Sequence, residues 1–407
     1  MKRQTIATQP KNNTDKITIP RNNRIESIDT VRGIVMIIMA LDHVRGYIHY
    51  DAFYFMPTDL SETNAILFFT RFITHYCAPV FVLLAGMSAF LYGQKRSRKE
   101  LSVFLFKRGL WLIFVELFII VLGRSFNPQY PYFNLQVIWA IGVSMIALSA
   151  LIYLPLRMIL LSGIAIISMH NLLDDIHFPG SLLWALLHET GDFKINHFLI
   201  YVQYPLIPWI GIIALGYCLG HIYTLGYDAN KRKMILLICG LSAITIFVLL
   251  RSINNYGDAS HWTIQKNSTF NILSFLNVTK YPPSLLYTLI TLGPALVLLA
   301  YTEKPLNALT SIIAVFGRVP FFYYVLHIYA IHIIALFAAV ASGYHWLDLM
   351  ILPDRINRIP ELKGYGVNLL TVYLVWIGLL LLLYPACKWF DRYKRSNQSR
   401  KWWLSYT

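Results

Sequence analysis

Charge is scarce in this chain, and acidic charge scarcest. Charged residues make up 14% of the sequence, with 20 Asp and Glu against 35 Lys and Arg. Soluble domains carry about a quarter charged residues, so this composition excludes a water-soluble fold. Cysteine is nearly absent: Cys77, Cys218, Cys239 and Cys387 all lie in or beside apolar runs. Their spacing builds neither a disulfide framework nor a metal pattern, and they read as buried packing thiols. Soluble-enzyme motifs are missing as well: HExxH, GxSxG, a Walker-type phosphate loop and CxxC do not occur. No metal-ligand set is expected. Residues 1–23 are polar and basic without the apolar stretch of a cleavable signal peptide, so the first span is expected to act as an uncleaved anchor.

What fills the chain instead is apolar sequence, 57% of all residues. It recurs in runs of about 20 residues, the length that crosses a hydrocarbon core as a helix. The expected class is an all-α membrane protein of about ten spans, near 26–48, 64–93, 103–123, 135–154, 158–170, 204–224, 234–253, 284–302, 310–341 and 367–386. Segment 181–189 is too short to span and reads as interfacial. Roughly two thirds of Lys and Arg fall in alternate loops expected inside, such as Lys95 to Lys99 and Lys231 to Lys233, so the positive charge is topological and implies no nucleic-acid partner. Both ends are expected in the cytoplasm. The organisation is a basic N-terminal segment at 1–23, one membrane domain at 24–390 and a basic tail at 391–407. Aromatics near span ends, among them Tyr47, Tyr204, Trp209, Trp402 and Trp403, fit an interfacial belt.

Ionisable residues inside spans are costly and mark candidate sites. In the first span, Asp29 and Arg32 are spaced to pair on one face. His43 returns to nearly that face about 16 Å farther on, so one stripe joins a cation at the inner end to an imidazole at the outer end. Asp42 beside His43 is a candidate for fixing its tautomer, and an Asp42–Arg45 ion pair is the alternative. His49 is a second candidate base. In the second span, Arg71 and His75 share a face with Ala78, Val82, Ala85 and Ala89 and are expected to line a cavity or a packing seam. Glu116 is expected to pair with Arg71 or Arg32, and Gln136 to bridge helices. Pro320 is expected to break the ninth span, leaving Arg318 to face an anion and His327 to meet the phenols of Tyr323 and Tyr324. Arg32, His43, Arg71 and Arg318 are expected to share one internal cavity.

The run Arg24-Ile-Glu-Ser-Ile-Asp29-Thr-Val-Arg32-Gly33, followed by an apolar helix ending Leu41-Asp42-His43, resembles the heparan-α-glucosaminide N-acetyltransferase catalytic-domain family, its bacterial members above all. The likeness continues through TRFITHYCAPVFVLLAG at 70–86, YPLIPWIGIIALGYCLG at 204–220, LNVTKYPPSLLYTLITLGP at 276–294 and GRVPFFYYVLH at 317–327. The resemblance implies a helical bundle in the bacterial inner membrane that takes acetyl-CoA from the cytosol and delivers acetyl to an amino sugar or other glycan outside. It further implies a catalytic histidine near the outer end of the first helix, His43 or His49, with Asp42 beside it. Asp29, Arg32, Arg71, His75, Arg318 and His327 are then the expected donor-binding residues. Expected partners are the lipid bilayer, acetyl-CoA and the glycan acceptor, with a homo-oligomer left open. The opening D-x-x-R-G helix ending in His is also similar to ten-helix O-acyltransferases of envelope glycans. A transporter of an anionic or glycan-derived solute is the competing class, since intramembrane Arg and His with a broken helix occur there too.

Overall fold

Backbone groups in hydrocarbon find no water, so an apolar chain satisfies them within helices. The computed structural model describes residues 25–130, 132–350, 362–397, 401 and 404. The basic segment 1–23, Trp402 and Trp403 lie outside the described residues. In chain order the helices are α1 (Glu26–Ile48), α2 (Ala65–Thr74), α3 (Cys77–Gly93), α4 (Arg98–Phe114), α5 (Val121–Ser125), α6 (Val137–Leu151), α7 (Leu156–Met169) and α8 (Leu182–Leu187). They continue as α9 (Leu206–Leu219), α10 (Ala229–Ile253), α11 (Ser268–Leu276), α12 (Leu285–Tyr301), α13 (Ala308–Arg318), α14 (Pro320–Ala341) and α15 (Leu369–Asn397). A π-helical stretch, Val115–Ile120, joins α4 to α5.

The chain is a multi-pass, mostly helical membrane protein. Among the described residues, six helical stretches are long and apolar enough to cross a bilayer: Ala65–Gly93, Leu156–Leu173, Leu206–Tyr223, Ala229–Ile253, Pro320–Ala341 and Leu369–Asn397. That is fewer than the expected ten. α1 carries Arg32, Asp42 and Arg45 inside its apolar run, and α6, α12 and α13 are shorter apolar helices.

Two breaks have local causes. Pro79 lies in the first turn of α3 and has no N–H for the His75 carbonyl, so α2 and α3 separate there. The Tyr287 hydroxyl donates to that carbonyl instead, at 2.7 Å. Pro320 opens α14 at its first position, and Val319 separates it from α13, as the sequence predicts.

α1 is the central helix, packed on α3, α13, α14 and α15. Without a hydrophobic drive between helices in lipid, close packing on small residues holds such bundles together. A Cβ built on Gly317 of α13 would stand 1.8 Å from the Asp29 carbonyl oxygen, and one on Gly33 of α1 2.1 Å from that of Ile313. Gly86 of α3 and Gly216 of α9 form a second crossing of the same kind. The cysteines are free; Cys77 and Cys387 are buried, whereas Cys239 is exposed on α10 and corrects the expectation of burial.

The fold also holds a small sheet, which no alternating pattern in the sequence announces. β1 (Tyr132–Leu135), β2 (Gly191–Ile195) and β3 (Phe198–Val202) form it in the order β1-β3-β2. β1 runs parallel to β3, with Tyr132 opposite Leu199, and β2 pairs antiparallel with β3. Loop 254–283 is tied down from two sides. The Arg251 guanidinium donates to the carbonyls of Ser260, Ser274, Phe275 and Asn277. The Asp258 carboxylate accepts from the Ser260 and Thr279 backbone amides and from the Thr279 and Ser284 hydroxyls. Lys280 and Tyr281 are thereby fixed in place.

Candidate active site

Two cavities abut along α1. The first, about 450 Å³, opens at the C-terminal part of α1 and includes Asp42, His43, Arg45, Arg71, Arg124 and Lys280 in its lining. Further polar groups come from the sheet and its flanks, among them Asn134, Gln136, Asp192, Tyr201 and Gln203. The second, about 300 Å³, opens at the N-terminal part of α1 and is lined by Arg32, Ser88, Arg108, Arg318 and Lys394 among apolar side chains. Among the described residues no carboxylate lines it. Phe81 and Val137 line both cavities, so the wall between them is one side chain thick there. His43 faces the first cavity, Tyr324 faces the second, and their rings meet edge-on at 6.3 Å.

His43 gains its partner from α14. Its Nδ1 is 2.8 Å from His327 Nε2, with the two rings stacked at 5.0 Å between centroids. His327 Nδ1 in turn lies 2.8 Å from the Tyr323 carbonyl oxygen. A carbonyl only accepts, so His327 carries its proton on Nδ1 and offers a lone pair at Nε2. His43 must then donate from Nδ1, which leaves the lone pair of His43 Nε2 as its basic atom. The tautomer of a half-buried imidazole is thus set through a fully buried one by a backbone oxygen.

Several expectations change. Asp42 does not orient His43: its carboxylate accepts from Arg45 Nη2 at 3.0 Å and from Arg71 Nη1, so the ion pair prevails over the tautomer role. Arg71 lines the His43 cavity and does not join Arg32 and Arg318, so the single shared cavity becomes two. The reason is antiparallel packing. Arg71 pairs with Asp42 near one end of α1, Cys77 Sγ bonds the Val35 carbonyl, and Ser88 meets Arg32 near the other end. His49 caps α1 at 2% exposure, bridges to Val367 and stacks on Tyr50, outside both cavities. His75 is buried against Phe72 and Tyr287 and likewise lines neither. His327 meets both expected rings, stacked on Tyr323 at 4.9 Å and edge-on to Tyr324 at 5.5 Å, while its Nδ1 hydrogen bond goes to the Tyr323 carbonyl. Glu116 pairs with neither Arg71 nor Arg32; its Oε2 accepts from the Ile138 and Trp139 amides, capping α6.

The stripe on α1 survives. Asp29 pairs with Arg32 at 3.4 Å, and Arg32 also donates to the Gly317 carbonyl at 3.2 Å and the Ser88 hydroxyl at 3.0 Å. Arg318 is held by Asp391 at 3.0 Å. Gln136 bridges to Gln203, at 2.7 Å. Arg124, not among the residues expected at the site, lines the His43 cavity and reaches the Tyr324 hydroxyl in the wall at 3.4 Å. An arginine at the end of the apolar run LFIIVLG was the signal available.

Among curated proteins none matches the chain. The family model described as heparan-alpha-glucosaminide N-acetyltransferase, catalytic, matches residues 24–254, more than half the chain. Arg318 and His327 lie beyond the matched stretch and reach it through the packing of α13 and α14 on α1. The stretch contains α1, α2, α3 and the sheet, and with them His43, Asp42, Arg32 and most of the lining of both cavities. The chain therefore belongs to the heparan-alpha-glucosaminide N-acetyltransferase catalytic family.

Proposed function

We propose that this protein transfers an acetyl group from cytosolic acetyl-CoA to an amino sugar or other glycan acceptor on the opposite face of a bacterial inner membrane. The observation that carries the reading is His43, held in one tautomer at a thin wall between two differently built cavities. The Arg32 cavity suits the donor: Arg32, Arg108, Arg318 and Lys394 offer charge-assisted contacts to phosphates, and its apolar walls suit a pantetheine arm. The His43 cavity suits a sugar, with aromatic rings to stack on and amides and charged groups to meet hydroxyls.

In this reading the acceptor amine approaches His43 Nε2 and attacks the thioester carbonyl across the wall. The C–N bond forms, Nε2 takes the amine proton, and the oxyanion of the tetrahedral intermediate is stabilised by Arg124. Collapse breaks the C–S bond, and the His43 proton passes to the CoA thiolate. Transient acetylation of Nε2 is the two-step version of the same chemistry. Asp29 holds Arg32, His327 positions His43, and Asp42 with Arg45 and Arg71 forms a fixed ion-pair floor under the acceptor.

The proposed topology has α1, the α4–α5 stretch, α6 and α12 cross with the six longer stretches, taking α13 and α14 as one broken unit, for ten spans with both termini cytoplasmic. The membrane domain is 24–390, flanked by basic segments at 1–23 and 391–407. O-acetylation of an envelope glycan needs the same machinery with a hydroxyl in place of the amine. The test is purified protein in detergent with acetyl-CoA, following free thiol with and without amino sugars. Acceptor-dependent thiol release lost in His43→Ala is expected; release unchanged in that variant would overturn the reading.

A further inference from the structure

Away from both cavities, three side chains with metal-ligand atoms converge. His170 follows α7, Asp174 follows the short turn His170–Leu173, and His188 follows α8. Their ligand atoms all lie within 4.8 Å of one another. His188 Nε2 is 3.0 Å from Asp174 Oδ1, and the rings of His170 and His188 meet edge-on at 5.8 Å. Asn171 orients the carboxylate, donating from Nδ2 to Asp174 Oδ2 at 2.8 Å, while its Oδ1 accepts from the Leu285 amide at the start of α12.

Hydrogen bonding within the protein does not account for this cluster. His170, 3% exposed, makes no well-aligned hydrogen bond, its one approach being to the Pro283 backbone, and His188 Nδ1 lacks a partner at 2% exposure. Leaving a buried polar group unpaired costs about 1–3 kcal/mol, so such atoms call for a ligand.

We propose that His170, Asp174 and His188 form a zinc site that fastens the end of α7 to the segment leading into β2. Two imidazoles and one carboxylate are a three-ligand zinc set, with a water completing the tetrahedron on the open side of Asp174. Ligands on one zinc ion stand about 3.3 Å apart, given bond lengths near 2.0–2.1 Å. His188 and Asp174 already meet that separation, and a turn of the His170 ring brings in the third. Coordination through His188 Nε2 replaces the His188–Asp174 hydrogen bond, and the neutral ring keeps its one proton on Nδ1. His188 is followed within a few residues by Gly191 and Asp192 of β2, so the ion would anchor the hairpin that supplies Asp192, Tyr201 and Gln203 to the His43 cavity.

The test uses the full chain, purified in detergent through a tag without histidine and stripped with chelator. Zinc is titrated against a chromophoric chelator, and cobalt(II) is added separately to read visible absorption bands. One equivalent of zinc binding below micromolar Kd is expected, with tetrahedral cobalt bands. Asp174→Asn, which keeps an acceptor for His188, and His170→Gln should each weaken zinc by at least about 100-fold. His177→Gln, an exposed neighbour bonded to Glu189, should bind as the parent does. Zinc should raise the Tm of the parent and not that of Asp174→Asn. No stoichiometric zinc in the parent, or equal retention in Asp174→Asn and His170→Gln, would overturn the site. These readouts need no acetyl transfer, so the zinc site and the proposed activity stand or fall separately.

Discussion

The Arg32 cavity and the His43 cavity share α1 and a wall, yet they are built from different materials. Arg32, Ser88, Arg108, Arg318 and Lys394 all project from helices, and no strand contributes to that lining. The His43 cavity draws several of its polar groups from the sheet, its flank and loop 254–283: Asn134, Asp192, Tyr201, Gln203, Lys280 and Tyr281. A helix-lined cavity with several cations suits one constant ligand with phosphates. His43 sits where the helix-lined half meets the half built from strands and a tied loop.

The largest effect expected is on chemistry at the wall. His43→Ala should lower kcat by about 10²–10⁴-fold, the usual value of a positioned general base, while acetyl-CoA binding is kept. His49→Ala, outside both cavities, should stay within about twofold of the parent. Equal losses in the two variants would erase the distinction between them. Next comes the positioning residue. His327→Phe removes the acceptor for His43 Nδ1–H, so kcat should fall by roughly 10²-fold with KM for both substrates little changed. His327→Gln, which can present an oxygen there, should recover part of that loss. A drop in donor affinity instead would assign His327 to the Arg32 cavity.

Much of the helix-lined half was legible in the sequence. The Asp29–Arg32 pair follows from a spacing of three, the break before α14 from Pro320, and the stripe from Arg32 to His43 from helical phase. That Arg71 lies beside Asp42 and away from Arg32 is not legible, because spacing says which face a residue takes, whereas depth depends on the direction of each helix. The His43–His327 contact joins α1 to α14, and no local pattern announces it. The sheet escaped for a related reason. β1 pairs with β3 across three intervening helices, α6, α7 and α8, and strand β2, and YFNL alone is too short to stand out against apolar neighbours. Its clearest trace was the tight turn between β2 and β3, where Asn196 takes φ 52°.

Stability offers a third comparison. Gly317→Ala places a methyl inside contact distance of the α1 backbone and should cost about 1–3 kcal/mol, read as a lower Tm in detergent and a weakened donor site. Gly46→Ala, on the same central helix with nothing within 4 Å of the added Cβ, should leave Tm unchanged or raise it. The smallest effects separate the two cavities by substrate. Arg108→Ala should raise KM for acetyl-CoA several-fold and leave acceptor KM alone, with the difference shrinking at high salt. Gln203→Ala should do the reverse, since Gln203 accepts from Asn134 and Gln136 and holds that lining together. Matching changes in both KM values for either variant would mean that the cavities do not divide the substrates.

The central claim is that donor and acceptor meet at His43 from opposite faces of the membrane. The direct measurement is acetyl transfer in sealed proteoliposomes of known orientation, with acetyl-CoA confined to the cytoplasmic side and an amino-sugar acceptor to the other. Acetylated acceptor accumulating in the acceptor compartment, and none when acetyl-CoA is supplied only to the face opposite the cytoplasmic one, is the predicted result. Product formed only when both substrates share one compartment would contradict transfer through the wall.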